Sequence, residues 1–360
     1  MLNLRRERLQ IIWTVAIVLI ASVRFFVHGA ETNSLRLSAD ATRSRADWEK
    51  IYRPAILGRM QEVMGPMPTH DRARPLNLKI VEEVDCGEYV RRFLSYESEP
   101  GSVVPAYLLI PKRVLRERQV TYGILTLHQT HRAGQKVVVG LGDSSNDEYA
   151  VELVKQGYVC IAPPYPLLAN YAPNLKELGY VSGTMKAIWD NMRALDLLET
   201  LPFVKPAEFG AIGHSLGGHN SLYTAAFDQR IKVVVTSCGF DSFRDYKGGD
   251  IRGWTSERYM PRLLDYPLAK IPFDFHEVLA AIAPRHIFVN APLRDSNFQW
   301  QSVDRVAEAA LPAFALYDAR ANVAVEHPDV EHSFPTESRR RAYEMIQRVL
   351  PLPASVRPKQ

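Results

Sequence analysis

A serine between two glycines is the residue in this sequence whose setting is best suited to chemistry. The motif Gly213-His214-Ser215-Leu216-Gly217 follows a short apolar run and precedes a helical pattern, which predicts a sharp strand-to-helix turn. The glycines would let strand and helix approach closely, so that the Ser215 hydroxyl is presented above the sheet. The N–H of Leu216 would then lie at the helix start, where it can stabilise an oxyanion. The spacing predicts that Ser215 is a nucleophile.

A serine hydroxyl is a weak nucleophile at neutral pH, so it needs a general base, and the base needs an orienting acid. Downstream of Ser215, Asp295 follows a buried strand pattern, and His332 lies in a loop before the last helical pattern. Serine, acid and histidine occur in this chain order in known triads. Two alternatives remain, because Asp241 follows the preceding strand and His327 lies close to His332. We expect Asp295 to be the acid and His332 the base.

The loop 127–134 is expected to complete the oxyanion hole, because it follows the strand predicted over 122–127. Gln129 and Thr130 are the candidates for the second N–H donor. No glycine follows His128, so which amide points inward stays open. His128 itself is a candidate for substrate binding. His128 and His131 could also be metal ligands, but no carboxylate or cysteine spacing supports that, and we predict no metal and no cofactor.

The stretch 241–275 is irregular and mixes glycine, proline, polar and aromatic residues. It follows a predicted strand at 231–236, so it is expected as an insertion over the carboxyl ends of the strands, where open α/β sheets bind ligands. Mixed polar and aromatic groups are typical of sugar-binding surfaces. Trp254 and Tyr259 are therefore expected to line the substrate pocket, the alternative being that they pack the insertion onto the body.

The elements around these residues predict one α/β catalytic domain over 75–355. Three neighbouring strand patterns with short connections, at 78–84, 89–96 and 103–110, should be antiparallel. From residue 122 onwards, strands alternate with helices, which predicts a mostly parallel central sheet with helices on both faces. A last strand is expected between residues 313 and 325. Residues 30–74 are expected to form a linker and a helix over 48–64.

Residues 1–29 are typical of an export signal. Arg5, Arg6 and Arg8 precede an uncharged apolar run over 11–23, which is short of the roughly 20 residues of a membrane span. Small residues near 27–30 could allow cleavage. The alternative is an uncleaved N-terminal anchor, the one route by which we expect membrane contact. In either case the catalytic body would lie outside the cytoplasm, in the periplasm or the extracellular space.

Charge gives no indication of nucleic-acid binding. The formal net charge of the 360 residues is +4, and the leader alone contributes +3, which leaves +1 for the rest. No cluster of basic residues with interleaved aromatics is present. We expect no nucleic-acid partner.

The elbow around Ser215, together with Asp295, His332 and the loop at 128–130, resembles the α/β-hydrolase superfamily. Within it, the chain is most similar to the branch of dienelactone-hydrolase-like proteins, acetyl xylan esterases and the catalytic domains of prolyl-oligopeptidase-type enzymes. The likeness covers roughly residues 75–350. Dienelactone hydrolases proper use a cysteine nucleophile, so Ser215 argues against that activity. The chain also has no repeat or room for the β-propeller of prolyl-oligopeptidase types.

The resemblance implies a serine carboxylic ester hydrolase that needs no cofactor and works through an acyl-enzyme. The leader pattern at residues 1–29 adds the expectation that this enzyme is exported. Its expected substrate is a small-molecule or carbohydrate ester. A peptidase of the same fold is one alternative, and a non-catalytic ligand-binding protein on the same scaffold is another. The chain order of the candidate triad favours an enzyme over the binding protein.

Overall fold

The computed structural model describes residues 35–354, apart from 36, 70, 118 and 144–146. Leu35–Gln360 form one compact unit. The predicted leader at 1–29 lies outside the described residues. In the part of the chain that the structure describes, no helix combines the length and the apolar character that a membrane span requires.

A nine-stranded sheet forms the centre of the molecule, in the order β1-β2-β3-β5-β4-β6-β7-β8-β9. The first three strands pair antiparallel, β5 pairs antiparallel with β3, and all pairings from β5 to β9 are parallel. This confirms the expected architecture. The strands are Lys79–Asp85 (β1), Tyr89–Glu99 (β2), Ser102–Pro111 (β3), Thr121–Leu127 (β4), Val159–Ala162 (β5), Val204–His214 (β6), Ile231–Ser237 (β7), His286–Asn290 (β8) and Val323–Glu326 (β9).

Helices alternate with the parallel strands, as the sequence predicts. Before the sheet, a turn at Arg45–Asp47 and a π-helical segment at Trp48–Tyr52 run into the first long helix. The helices are Arg53–Met64 (α1), Lys112–Glu117 (α2), Tyr149–Gln156 (α3), Gly183–Glu199 (α4), Leu216–Phe227 (α5), Phe275–Ile282 (α6), Trp300–Ala315 (α7) and Thr336–Val349 (α8).

Two apolar cores lie on opposite faces of the sheet because strand side chains alternate. In β4, Leu125 belongs to the core with α4, α5, α6 and α7, whereas its neighbour Ile124 belongs to the core with α3 and α8. Strands covered on both faces read as continuous apolar runs, as Val233, Val234 and Val235 of β7 do. Helices packed on both faces hold the sheet in place, and the sheet in turn positions the loops at its edge.

Some boundaries differ from the sequence-based expectations. The last strand was expected between 313 and 325, but residues 313–315 end α7 and β9 begins only at Val323. Helix α7 runs through Pro312, which the pattern alone favours as a helix end. Its burial, seen in Val306 and Ala310, outweighs that local preference.

The 241–275 stretch leaves the carboxyl end of β7 and returns at α6. It contains four short 3₁₀ turns, Tyr246–Gly249, Ile251–Trp254, Pro261–Asp265 and Leu268–Lys270. Several of its aromatic residues are buried, among them Phe243 and Trp254. The N–H of Gly183, at the start of α4, donates to the carbonyl oxygen of Glu257 at 2.8 Å. The stretch is therefore an ordered part of the body.

Candidate active site

Ser215 lies between β6 and α5 in a backbone conformation that side chains seldom adopt, with φ 52° and ψ −118°. Two glycines make the turn possible. A Cβ on Gly217 would lie 2.0 Å from the carbonyl oxygen of Leu127, and one on Gly213 would lie 2.2 Å from the carbonyl group of Gly217. The Ser215 N–H donates to the carbonyl oxygen of Ser237 at 2.7 Å. Steric clashes therefore require glycine at positions 213 and 217, on either side of Ser215.

Three predicted side chains meet at the carboxyl edge of the parallel strands. His332 Nε2 lies 2.9 Å from Ser215 Oγ, and His332 Nδ1 lies 2.9 Å from each carboxylate oxygen of Asp295. Ser215 follows β6, Asp295 follows β8 and His332 follows β9. Because parallel strands end at the same edge of a sheet, residues far apart in the chain come together there. The arrangement is a serine–histidine–carboxylate chain of hydrogen bonds.

Asp295 is held as a carboxylate. Burial alone would raise its pKa, but the hydrogen bond from His332 and the N–H groups of Asn297 and Phe298 hold that pKa below its usual value. The two N–H groups donate to Oδ1 at 2.7 and 3.2 Å. With Asp295 ionised, the Nδ1 proton of His332 stays on the side facing the carboxylate. In that tautomer of the neutral ring, Nε2 carries no proton and can accept the proton of Ser215.

The alternative acid, Asp241, has different partners. Its Oδ2 accepts the N–H of Gln299 at 3.1 Å, and its Oδ1 has no hydrogen-bond partner among the described residues. Burial raises the pKa of Asp241 to about 7. His332 Nδ1 donates its hydrogen bond to Asp295 and not to Asp241, so the geometry favours Asp295 as the acid.

The alternative base, His327, is also engaged elsewhere. Its Nδ1 lies 2.7 Å from the carbonyl oxygen of Ala291, and its Nε2 lies 3.0 Å from Asp304 Oδ1. Trp300 packs against the ring at 5.0 Å. Both ring nitrogens are therefore used to fasten α7 to the loop after β8, and His332 is the histidine at Ser215.

Of the three residues predicted for the oxyanion hole, Leu216 and Thr130 line the cavity beside Ser215, whereas Gln129 does not. Leu216 opens α5, so its N–H is one of the unpaired donors at a helix start. Thr130 lies at the cavity beside Ser215, with Oγ1 3.4 Å from the Tyr259 hydroxyl. Gln129 is not among the described residues that line that cavity. The Thr130 end of the loop is the part that faces Ser215.

His128 is buried in the loop and does not reach the cavity. Its Nδ1 lies 2.8 Å from the carbonyl oxygen of Gln129, and its Nε2 accepts the N–H of Tyr165 at 2.9 Å. Burial lowers the pKa of His128 to about 4, so the ring is neutral with its Nδ1 proton directed at the carbonyl. The expectation that His128 binds substrate is not supported by this geometry, because both nitrogens already hold the loop.

A cavity of about 210 Å³ lies beside Ser215. Trp254 and Tyr259, both predicted for the pocket, line it together with Tyr246 from the same 241–275 stretch. Thus the stretch forms one wall of the cavity and also packs on the body. Leu216 also lines the cavity, as does His219, a residue that the sequence analysis did not single out.

A further layer of polar contacts supports His332, and sequence reasoning missed it. Asn290 at the end of β8 donates from Nδ2 to Ser237 Oγ at 2.7 Å and to the carbonyl oxygen of Ser333 at 3.0 Å. Ser237 Oγ in turn lies 3.0 Å from His214 Nδ1. Only strand order, β6-β7-β8, brings these residues together, so no local pattern could have indicated them. His219 had a signal, since it stands one helical turn after Ser215.

One group of possible metal ligands occurs among the described residues: Cys238, Asp295 and His332, whose donor atoms lie within 4.8 Å of one another. A metal there would need the Nδ1 of His332 unprotonated and would break its bond to Asp295. Burial also raises the pKa of the Cys238 thiol well above its usual value, which disfavours the thiolate that binds metals. The donor set fits a hydrogen-bonded triad better than a metal site.

Comparison with known proteins indicates the fold. No known protein-family profile matches the chain. A relative, YtaP of Bacillus subtilis (strain 168), provisionally named a hydrolase, is 24% identical over 265 residues, covering 70% of this chain and 85% of YtaP.

Among solved structures, a glucuronoyl esterase from Solibacter usitatus has a TM-score of 0.70 at 17% identity, covering 89% of this chain and 98% of that one. A carbohydrate esterase family 15 glucuronoyl esterase from Caldicellulosiruptor kristjansonii has a TM-score of 0.64 at 16% identity, covering 91% and 92%. The chain has the α/β-hydrolase fold. In this chain, Ser215 lies at the strand-to-helix turn of that fold.

Proposed function

We propose that this protein is an exported serine carboxylic ester hydrolase that acts on carbohydrate esters. The observation that carries the proposal is the continuous chain from Ser215 Oγ through the His332 imidazole to Asp295, with both links at 2.9 Å. A serine hydroxyl, a neutral imidazole and a buried carboxylate in this order are what acyl transfer requires.

In the first half of the proposed reaction, Ser215 Oγ attacks the ester carbonyl carbon while its proton passes to Nε2 of His332. The carbonyl oxygen becomes an oxyanion, which the N–H of Leu216 and an N–H of the 129–130 loop stabilise. His332 then gives its proton to the departing alkoxide as the ester C–O bond breaks. The products are a free alcohol and an ester of the acyl group on Ser215.

In the second half, water attacks the acyl carbon and His332 takes a proton from it. Collapse of the second tetrahedral intermediate returns that proton to Ser215 Oγ and releases the carboxylic acid. Throughout, Asp295 stabilises the imidazolium of His332 and holds its Nδ1 proton inward. The reaction consumes one water and needs no redox partner, and Ser215 and His332 both return to their starting protonation states.

The carbohydrate class has two supports. Two solved structures that superpose over about nine-tenths of the chain are named as glucuronoyl esterases, one of them within a carbohydrate esterase family. In addition, Tyr246, Trp254 and Tyr259 line the cavity beside Ser215, and aromatic faces suit the C–H faces of sugar rings because their π-electrons carry partial negative charge.

Replacement of the nucleophile tests the proposal. Ser215→Ala should abolish hydrolysis of p-nitrophenyl acetate and of acetylated or glucuronoylated sugars, and it should prevent labelling by a fluorophosphonate probe. Ser221→Ala is the matched control, since Ser221 lies in the same helix and its hydroxyl donates to the carbonyl oxygen of Gly217. Full ester hydrolysis by Ser215→Ala would refute the assignment.

Export rests on the basic and apolar pattern of residues 1–29. Expression of the full chain should yield a mature protein that begins near residue 30 and is recovered outside the cytoplasm, as N-terminal sequencing would reveal. Recovery of the intact chain in the membrane fraction would instead support the anchor. Recovery of the intact chain in the cytoplasm would contradict both.

A further inference from the structure

The cavity beside Ser215 has polar groups but no charge. Its described lining residues include no lysine, arginine, aspartate or glutamate. His219, the one titratable basic residue among them, is neutral, because burial lowers its pKa to about 3. A charged ligand group entering this space would lose hydration without meeting an opposite charge. The cavity therefore suits an uncharged group.

Two buried polar atoms of the lining residues have no hydrogen-bond partner among the described residues. They are Nε2 of His219 and Nε1 of Trp254, and each of the two side chains is only 3% exposed. Buried polar groups in folded proteins are nearly always paired, so two unpaired ones at the same cavity call for an explanation. A ligand that supplies a donor to the imidazole and an acceptor to the indole would satisfy both.

The position of His219 relative to the nucleophile is fixed by the helix. The His219 N–H donates to the carbonyl oxygen of Ser215 at 3.3 Å, which is the first turn of α5. Residues four apart lie on the same helix face, so both side chains border the cavity. The imidazole is also clamped by aromatic rings, with Trp254 at 4.9 Å and Tyr259 at 5.9 Å between ring centroids. A bound group would thus be held at a defined distance from the reacting ester.

We propose that His219 and Trp254 form a subsite that binds an uncharged, hydroxyl-bearing ring of the ester, directly beside the scissile bond. A ring hydroxyl donates to the imidazole, and a hydroxyl or ring oxygen accepts from the indole N–H. The aromatic side chains contact the C–H faces of the ring. This inference rests on the proposed function and adds to it the residues that select a polyhydroxylated ring over an alkyl ring.

The cavity volume agrees with a single ring. At about 210 Å³, it is smaller than the roughly 300–1,000 Å³ of pockets that enclose drug-sized ligands. A longer glycan would have to extend out of it. A hydrocarbon ring of the same size would fit, but it would leave both polar atoms unpaired, and sites of this kind reject analogues that lack the hydroxyl.

Matched esters test the subsite. On the acyl side, the pair is the methyl ester of methyl glucuronoside and methyl cyclohexanecarboxylate. On the alcohol side, it is 6-O-acetylglucose and cyclohexylmethyl acetate. For at least one pair, the wild-type kcat/KM should favour the hydroxylated member by about 100-fold or more. His219→Leu should reduce that ratio by about tenfold or more, and His219→Gln, which keeps a hydrogen-bonding group, should restore part of it.

The matched control is His276→Leu. His276 is also buried, at 8% exposure, and its Nδ1 is also unpartnered, but it lies in α6 and is not among the residues that line the cavity. This variant should keep the wild-type ratio. If His219→Leu keeps the wild-type ratio as well, or if the wild-type enzyme hydrolyses both members of each pair without preference, the inference is wrong.

Binding separates the subsite from the reaction. In Ser215→Ala protein, calorimetry should show tighter binding of the hydroxylated ester than of its cyclohexyl analogue, and the added His219→Leu change should remove the difference. That result would uphold the subsite even if the wild-type protein hydrolysed neither pair, which would refute the proposed function alone. Equal binding of both esters would overturn the subsite even if hydrolysis proceeds.

Discussion

Asn290 donates a hydrogen bond from Nδ2 to the carbonyl oxygen of Ser333, the residue that follows His332. The distance is 3.0 Å, and the Asn290 side chain is fully buried at the end of β8. The bond ties the loop of the proposed base to the sheet strand that precedes the proposed acid, Asp295. Both partners of the His332–Asp295 pair are thus positioned from the same strand end.

Asn290→Ala should therefore lower kcat more than it changes KM. Loss of the tether lets His332 shift relative to Ser215, and a displacement of about 1 Å in a catalytic group can cost on the order of 100-fold in rate. Steady-state kinetics on p-nitrophenyl acetate would measure it. Asn322→Ala is the control, since Asn322 also donates from Nδ2 to a backbone carbonyl, that of Pro284 at 2.6 Å. Equal losses in both variants would contradict the positioning role.

Asp295→Ala should reduce kcat by roughly 10⁴-fold, the scale seen when a triad acid is removed. The imidazole of His332 would lose the partner that fixes its tautomer and stabilises its protonated form. Asp241→Ala should have a far smaller effect, because Asp241 accepts from the Gln299 N–H and not from His332. Comparable kcat values for the two variants would refute the assignment of the acid.

Because of the titration of Asp241, the free energy of unfolding should fall as the pH rises. Burial raises its folded-state pKa to about 7, whereas an unfolded aspartate titrates near ~3.9. Between these values the folded state binds more protons than the unfolded state, so the free energy of unfolding decreases with pH. Asp241→Asn removes the titration. Its unfolding free energy relative to wild type should rise by about 2–3 kcal/mol between pH 5 and pH 8, as urea unfolding at both pH values would measure.

Asp245 is the control, because its pKa is shifted in the opposite direction to that of Asp241. Burial alone would raise its pKa, but hydrogen bonds from Ser302 and Arg305 hold that pKa below its usual value. Its stabilising contribution is therefore present above the unfolded pKa and is lost as the pH falls through the lower folded value. Asp245→Asn should destabilise the protein at pH 8. If Asp241→Asn and Asp245→Asn shift stability in the same direction at pH 8, the argument from these two environments fails.

Gly217→Ala should prevent the elbow from forming. The added Cβ would lie 2.0 Å from the carbonyl oxygen of Leu127, and neither backbone can yield because α5 packs against β4 and β6. We expect loss of soluble folded protein, or a large fall in melting temperature by differential scanning calorimetry. Gly58→Ala is the counterpart, since nothing lies within 4 Å of its added Cβ in helix α1. It should stabilise by about 0.5–1 kcal/mol; a Gly217→Ala protein as stable as Gly58→Ala would contradict the steric argument.

Local patterns were informative wherever the structural cause is local. The alternation of strands and helices from residue 122 gave the parallel sheet, because the spacing of apolar residues directly reflects which faces are buried. The last strand was expected only within the broad range 313–325, and its start at Val323 was not predicted. Pro312 and the short, half-buried strand from Val323 have weak local signals, and burial of α7 against the sheet decided their conformation.

The sequence by itself determined that Ser215 is the nucleophile candidate and that an acid and a histidine follow it in order. Those inferences rest on local features: the glycines that a sharp turn requires, and the position of a polar residue just after a predicted strand. Each of these features can be recognised within a few residues of sequence. Only the tertiary structure decided that Asp295 pairs with His332, that His128 holds its own loop, and that His219 borders the cavity. Hydrogen-bond partners depend on the order of strands in the sheet, and exposure to the cavity depends on the path of the 241–275 stretch, which no local pattern specifies.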